Sequence, residues 1–307
     1  MSHTPCYLID LDGTVYCGSR PIPQAAALIE QLNRTGQPYR FLTNAPERSP
    51  RRIEEKLRQM GIPAGKGSVL TAGTLAVDYL LGQRLPGAPL RVAILGNAYL
   101  RRLASLRGLT VVPVEGPHGL KKSGPGQAGA SAGGGTGREL PDWVLISFDE
   151  EITLGQIRQA CRLVRRGVPL LATNPDDLIP SEDGLLPHTG AILHAVTQAT
   201  GVSPRIVGKP SGSLGSYFTR LFDCPAGEIR VVGDRLDTDM DFAQRCGFQA
   251  WLVLTGSTDR ETARLHHRQY DRCFAHIGEI AALAEREVLS PFAPPPVLEG
   301  ARQAIHR

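Results

Sequence analysis

Short, largely apolar runs alternate along this chain with longer stretches whose apolar residues recur at helical spacing. Tyr7-Leu8-Ile9 is the first such run. Behind it, Gln24 to Asn33 puts Ala27, Leu28 and Leu32 on one face, with Pro21 and Pro23 as start signals and Gly36 as a stop. Pro38 to Leu42 is the next run. A strand, a helix and a strand at this spacing make a βαβ unit, so the pattern predicts parallel strands with a right-handed crossover. The alternation continues with helices over Pro50 to Met60 and Leu70 to Leu81, a strand at Arg91 to Gly96, a helix at Tyr99 to Leu106 and a strand at Leu109 to Val114. Pro141 to Phe148 and Val168 to Thr173 read as strands around an amphipathic helix, Leu154 to Gly167. After the turn Asn174-Pro175-Asp176-Asp177 come helices at Gly190 to Gly201, Ser216 to Phe222 and Asp241 to Cys246. Between them lie strands at Ile206 to Pro210, Glu228 to Gly233 and Ala250 to Leu254.

The expected class is α/β, with a second α/β body inserted into the first. Residues 1–76 and 189–285 are expected to form the main body and 77–188 the insert, with a Pro-rich tail at 286–307. Residues 115–140 are rich in Gly, Ser, Ala and Lys, and 124–137 are of low complexity, which predicts a surface loop. No G-x-x-x-x-G-K-[ST] pattern occurs there, so a phosphate-cradling loop is not expected.

Composition narrows the picture. Of 307 residues, 41% are hydrophobic and 21% charged, as in soluble globular proteins. No apolar run is long enough to span a membrane, and Met1 to Pro5 has neither a basic nor an apolar leader segment. The six cysteines show no CxxC pairing, which predicts reduced thiols in a cytoplasm. The net charge of +4 comes from scattered arginines, so no nucleic-acid stripe is expected, although the balance would help attract an anionic substrate.

Polar residues gather where the apolar runs end. Asp10 and Asp12, two apart on an extended chain, point the same way and are followed by Gly13 and Thr14. Converging carboxylates repel unless a cation lies between them, and Mg²⁺ is suited to such oxygen ligands. An acidic turn after an edge strand is the plainer alternative. Thr43 and Asn44 close the second strand; they can bind a ligand or cap the helix at Pro50. Lys209 ends one later run, and Asp234 to Asp239 follow another. Singly, Lys209 is a surface lysine and Asp234-Arg235 a turn. Together they make chemical sense: one carboxylate as nucleophile toward phosphorus, a second as acid and base, a hydroxyl and a lysine on the phosphoryl oxygens, a third carboxylate on a metal.

These residues resemble the motifs of the haloacid-dehalogenase-like superfamily, phosphatase branch. Asp10-Leu11-Asp12-Gly13-Thr14 matches the first motif, Thr43 the second, Lys209 the third and Gly233-Asp234-Arg235-Leu236-Asp237-Thr238-Asp239 the fourth. The insert is similar to the large α/β cap of the NagD, 4-nitrophenylphosphatase and phosphoglycolate-pyridoxal phosphatase group, through Ala172 to Asp176, Val207 to Pro210 and Arg20 to Pro23. The resemblance implies a Rossmann-like core with a cap. It implies Asp10 as nucleophile, Asp12 as general acid and base, and Mg²⁺ held by Asp10, the Asp12 carbonyl and Asp234, with Asp239 supporting them. It also implies phosphate contacts from Thr43, Asn44, the Ala45 backbone and Lys209. Ala45 stands where many relatives carry Asn or Ser, and Ile179 falls where a pyridoxal-phosphatase-like relative has His.

The expected activity is Mg²⁺-dependent hydrolysis of a small phosphorylated metabolite through a phosphoaspartate. Asn174 and Asp176 are expected to contribute specificity from the cap, and two copies of the chain to associate through it. A dehalogenase is disfavoured by Asp12, since displacing halide needs no acid for a leaving oxygen. An idle phospholigand-binding scaffold would be expected to lack one of Asp10, Asp12, Lys209 or Asp234, and all four are present. A phosphatase acting on proteins or on pyridoxal phosphate is the remaining alternative.

Overall fold

A computed structural model of the chain describes residues 4–114, 140–181 and 184–289. The Gly-rich run 115–139 and the tail from 290 onward lie outside the described residues. The chain opens with β1 (Cys6–Ile9), whose four residues are all buried. A strand covered on both faces must be apolar throughout, which is why the run is continuous and not alternating. A small flap follows, β2 (Tyr16–Cys17) and β3 (Arg20–Pro21), then α1 (Ala25–Thr35), β4 (Tyr39–Thr43), α2 (Pro50–Gln59), β5 (Val69–Thr71) and α3 (Ala72–Gly82).

The second body contains β6 (Arg91–Leu95), α4 (Ala98–Leu106), β7 (Thr110–Val112), β8 (Trp143–Ile146), α5 (Leu154–Arg165) and β9 (Leu170–Ala172). A hairpin, β10 (Leu178–Ser181) and β11 (Gly184–Pro187), precedes α6 (Thr189–Thr200) and β12 (Arg205–Ile206). The chain then completes the first body with α7 (Gly215–Phe222), β13 (Ile229–Gly233), α8 (Asp241–Cys246), β14 (Gln249–Val253), α9 (Arg260–Leu265), β15 (Arg272–Phe274) and α10 (Ile277–Leu289).

The larger sheet is parallel throughout, in the order β15-β14-β13-β1-β4-β5. Alternate residues of β1 serve its two faces: Cys6 and Leu8 join one hydrophobic cluster, Tyr7 and Ile9 the other. The smaller sheet, β12-β9-β8-β6-β7, is also parallel. Its Val92, Ile94, Leu145 and Leu171 belong to the same cluster as Leu8 and Val231, with α3 packed among them through Leu75, Ala76 and Leu80. One apolar cluster therefore runs through both bodies.

Four local features differ from expectation. The apolar stretch at 70–81 begins as strand: Thr71 pairs with Thr43 and its side chain then caps α3. Ser49, not Thr43 or Asn44, caps α2, followed by Pro50 in its first turn. The hairpin β10/β11 has no alternating signal, because β11 is exposed along its whole length. The smaller sheet also extends past 188. Helix α6 packs on α5, and Arg205 and Ile206 pair with Leu171 and Ala172. A two-residue strand carries no mark of which parallel sheet it will join, so the pattern alone could not place this crossing.

Candidate active site

Strands β4, β1 and β13 are neighbours in the larger sheet, and their carboxyl ends carry Thr43, Asp10 and Asp234 side by side. Ligands bind at that edge in open parallel sheets. Gly13 makes the turn after Asp12 with φ +84°, and a Cβ there would sit 2.5–2.9 Å from the Asp234 carboxylate. Only glycine allows this approach. Thr255 Oγ1 donates to the Gly13 carbonyl at 2.6 Å, and the Ser257 N–H donates to Asp234 Oδ2 at 2.6 Å. Thr255 and Ser257 were not expected at the site. The available signal was that β14, beside β13, ends there.

Lys209 reaches this edge from the second crossing and is 3% exposed. Its Nζ donates to Asp10 Oδ1 and Asp239 Oδ1, both at 2.5 Å, and to the Leu42 carbonyl at 3.2 Å. A π-helical turn at Leu236–Met240 carries Asp239 back under the strand end, where Asp239 Oδ2 accepts from the Arg235 N–H. Burial pushes the Asp10 carboxyl well above the ordinary range; Lys209 pulls it down, and Asp239 and Asp234 push it further up. Burial, reinforced by Asp239, raises Asp234 to about 6. Burial alone would lower Lys209, but its two carboxylate partners outweigh that and raise it.

Asp10, Asp234 and Asp239 each present an oxygen within 4.8 Å of the others. Asp234 Oδ1 is buried and has no hydrogen-bond partner among the described residues. A buried, unpaired carboxylate oxygen among others is a donor set that a hard divalent cation fits. The Asp12 side chain is exposed and outside this cluster, so any role it has at a metal falls to its backbone.

Asn44 is a joint. Its Oδ1 accepts from the Lys209 N–H at 2.9 Å, and its Nδ2 donates to the Lys209 carbonyl and to Asp176 Oδ2, each at 2.9 Å. Asn174, fully buried, donates to the Asn44 carbonyl at 2.9 Å. The side-chain amide of Asn44 is thus committed to holding the Lys209 loop and the cap turn. Ala45 offers its backbone, whose N–H is taken by Thr43 Oγ1 at 3.2 Å. Asp176 has Arg235 3.9 Å from its Oδ1, and burial raises its pKa despite Asn44 and Arg235. Asp176 and Arg235 line an open cleft of about 290 Å³ with Pro175, Pro210 and Thr238.

Comparisons with known proteins show the family. A haloacid dehalogenase-like hydrolase model matches residues 7–110, and a second HAD-hydrolase-like model matches 206–280. An acid sugar phosphatase of Staphylococcus aureus is 32% identical over 287 residues, covering 94% of this chain and 100% of the relative. The structure of 4-nitrophenylphosphatase from Thermotoga maritima matches with a TM-score of 0.77 at 27% identity, covering 91% of this chain and 97% of that one. Glycerol phosphate phosphatase from Mycobacterium tuberculosis, in complex with magnesium, matches with a TM-score of 0.73 at 29% identity, covering 92% of this chain and 78% of that one. The chain belongs to the haloacid-dehalogenase-like hydrolases, among their phosphatases.

Proposed function

We propose that this chain is a Mg²⁺-dependent phosphomonoesterase that acts on a small phosphorylated sugar or polyol through a phosphorylated Asp10. One observation carries the reading: the buried lysine, wedged between Asp10 and Asp239, beside an unpaired oxygen of Asp234. Asp10 supplies the oxygen that bonds to phosphorus as the ester bond to the alcohol breaks. Asp12 gives the departing alkoxide a proton, and afterwards takes one from the water that hydrolyses the acyl phosphate, which returns Asp10 and releases phosphate. Its exposure suits a group that exchanges protons with solvent and the leaving group. Lys209 and the Thr43 hydroxyl bind phosphoryl oxygens, and Asn44 keeps Lys209 aimed. Asp10 and Asp234, with the Asp12 carbonyl, would hold Mg²⁺, which when bound offsets negative charge on the phosphoryl group. The relatives' names, an acid sugar phosphatase, a glycerol phosphate phosphatase and a 4-nitrophenylphosphatase, favour a small ester.

The test is phosphate release from 4-nitrophenyl phosphate, with and without chelator, and acid-quenched trapping of labelled phosphate on protein. Turnover that needs Mg²⁺, and label that disappears in Asp10→Asn, are expected. Full activity in metal-free chelator, or label on another residue, would overturn the reading.

A further inference from the structure

No side chain holds Asp12 among the described residues: its carboxylate is exposed and accepts no hydrogen bond from them. Its position is set through its backbone, which Tyr16 grips on both sides. The Tyr16 N–H donates to the Leu11 carbonyl at 3.1 Å, and the Tyr16 carbonyl accepts from the Gly13 N–H at 2.7 Å. Leu11 and Gly13 are the two neighbours of Asp12, and Asp12 itself bridges to Tyr16. Placing Tyr16 therefore places Asp12. Tyr16 opens the flap β2/β3, and a hairpin of two short strands is marginal by itself. Its ring is covered by the Lys56 ammonium, which lies 3.7 Å from the ring centroid. Lys56 stands on α2, which Ile53 and Leu57 fasten to the apolar cluster that also takes in Leu11, Val15 and Tyr16. Among the described residues Lys56 has no carboxylate within ion-pair distance, so the ring is its partner. Ammonium and ring both lie in the field of the catalytic carboxylates. Burial and Arg48 lower the Lys56 pKa while Asp12 raises it, and Asp12 and Asp10 add to burial in raising that of the Tyr16 phenol.

We propose that Lys56 is a positioning residue for Asp12: its cation–π contact pins Tyr16, and with it the flap that sets Asp12 over the leaving oxygen. This rests on the phosphomonoesterase reading, in which Asp12 gives the departing alkoxide its proton. An aromatic face attracts a cation through its quadrupole, and more strongly where water is excluded; the Tyr16 ring belongs to a residue only 5% exposed. The contact ties a small hairpin to a helix that is itself fixed, capped by Ser49 and buried along Ile53, Glu54 and Leu57. An acid works only within hydrogen-bond reach of the oxygen it protonates, and misplacement by about 1 Å can cost about 100-fold in rate. Lys209 cannot serve here, because Asp10, Asp239 and the Leu42 carbonyl occupy its ammonium. Dependence on Lys56 is therefore greatest for esters whose leaving oxygen most needs a proton.

The experiment measures kcat/KM for phenyl phosphate divided by kcat/KM for 4-nitrophenyl phosphate, at saturating Mg²⁺. Phenol is about as weak an acid as a tyrosine side chain, with a pKa of about 10, and needs a proton to leave. 4-Nitrophenol is a much stronger acid and leaves with little help. The ratio reads the protonation step and does not depend on how much of a variant is folded. In Lys56→Met, which keeps the stem and loses the cation, it is expected to fall by about 10-fold. Lys56→Arg, whose guanidinium can also cover the ring, should stay within about 2-fold of wild type. Tyr16→Leu should reproduce the fall, and Tyr16→Phe, which keeps the ring, should not. An unchanged ratio in Lys56→Met overturns the proposal whatever the absolute rates do, because a lysine that only attracts the phosphoryl group or only stabilises the fold lowers both substrates alike. A Lys56→Arg ratio as low as that of Lys56→Met also overturns it. A wild-type chain inactive on both esters overturns the hydrolase reading, and this inference with it.

Discussion

Replacing Asn44 with alanine removes three hydrogen bonds at once and tests whether this joint organises the site. Two of them join backbone groups of Lys209, and the third ends on the Asp176 carboxylate. A bond between neutral groups contributes about 1 kcal/mol net and one to a charged group about 1.5–3 kcal/mol. Their loss, with the groups left buried, amounts to about 4 kcal/mol, a large part of the roughly 5–15 kcal/mol that holds a domain folded. At about 2–4 °C per kcal/mol for a chain of this size, the melting midpoint should drop by about 8–16 °C. Lys209 also loses its backbone anchor, and displacement of a positioning group by about 1 Å can cost about 100-fold in rate. Thermal melting and aryl phosphate turnover, measured on the same preparation, check both effects. Asn44→Asp should be worse than Asn44→Ala, since it keeps the acceptor for the Lys209 N–H, loses both donors and sets a second carboxylate against Asp176. Adding Asp176→Asn should recover part of that loss. If Asn44→Ala melts within about 2 °C of wild type and turns over at the wild-type rate, the joint does not organise the site.

Three further outcomes are expected. Gly13→Ala combines a disfavoured φ with a contact against Asp234, and should lower stability by about 1–3 kcal/mol and abolish the thermal shift on adding Mg²⁺; an unaltered shift would contradict the geometry. Mg²⁺ at about 100 times its dissociation constant should stabilise the wild type by about 2.7 kcal/mol and Asp234→Asn hardly at all; equal shifts in the two proteins would place the metal elsewhere. Burial raises the Asp176 carboxyl above its ordinary value of 3.8, so the folded state binds that proton more tightly than the unfolded one. Its contribution is therefore most favourable at low pH and declines as pH rises from about 4 through the raised pKa. The melting midpoint of wild type minus that of Asp176→Asn should fall from about pH 4 to about pH 7, and a difference that rises over that interval would reverse the sign.

Much of the architecture was legible because parallel strands buried on both faces leave apolar runs: β1 is apolar throughout, β6 and β14 are so after their first residue, and β4 and β13 are interrupted only by Arg40 and Arg230 before their ends. The residues closing those runs also announced themselves, since Asp10, Thr43 and Asp234 end neighbouring strands. What sequence could not supply was the second partner of each group. The doubled contact of Lys209, to Asp10 and Asp239, depends on a π-helical turn that no periodicity marks. Asn44 and Asp176 are 132 residues apart and meet only through the crossing of two bodies. Asp176, expected to contribute specificity from the cap, lines the cleft and also accepts from Asn44 through Oδ2, a bond to the core that its sequence neighbours do not mark.

The two sheets meet carboxyl edge to carboxyl edge: Asn97, Phe148 and Asn174 on one side approach Asn44 and Glu47, or a residue in contact with them, on the other. Helices α2, α3 and α4 all start at these edges, capped by Ser49, Thr71 and Asn97. The gap between the bodies therefore lies near the N-terminal ends of three helices, each carrying a dipole equivalent to about half a positive charge. That potential belongs to the backbone. It does not titrate, and no single substitution removes it, whereas the charge of Lys209 is already held by Asp10 and Asp239.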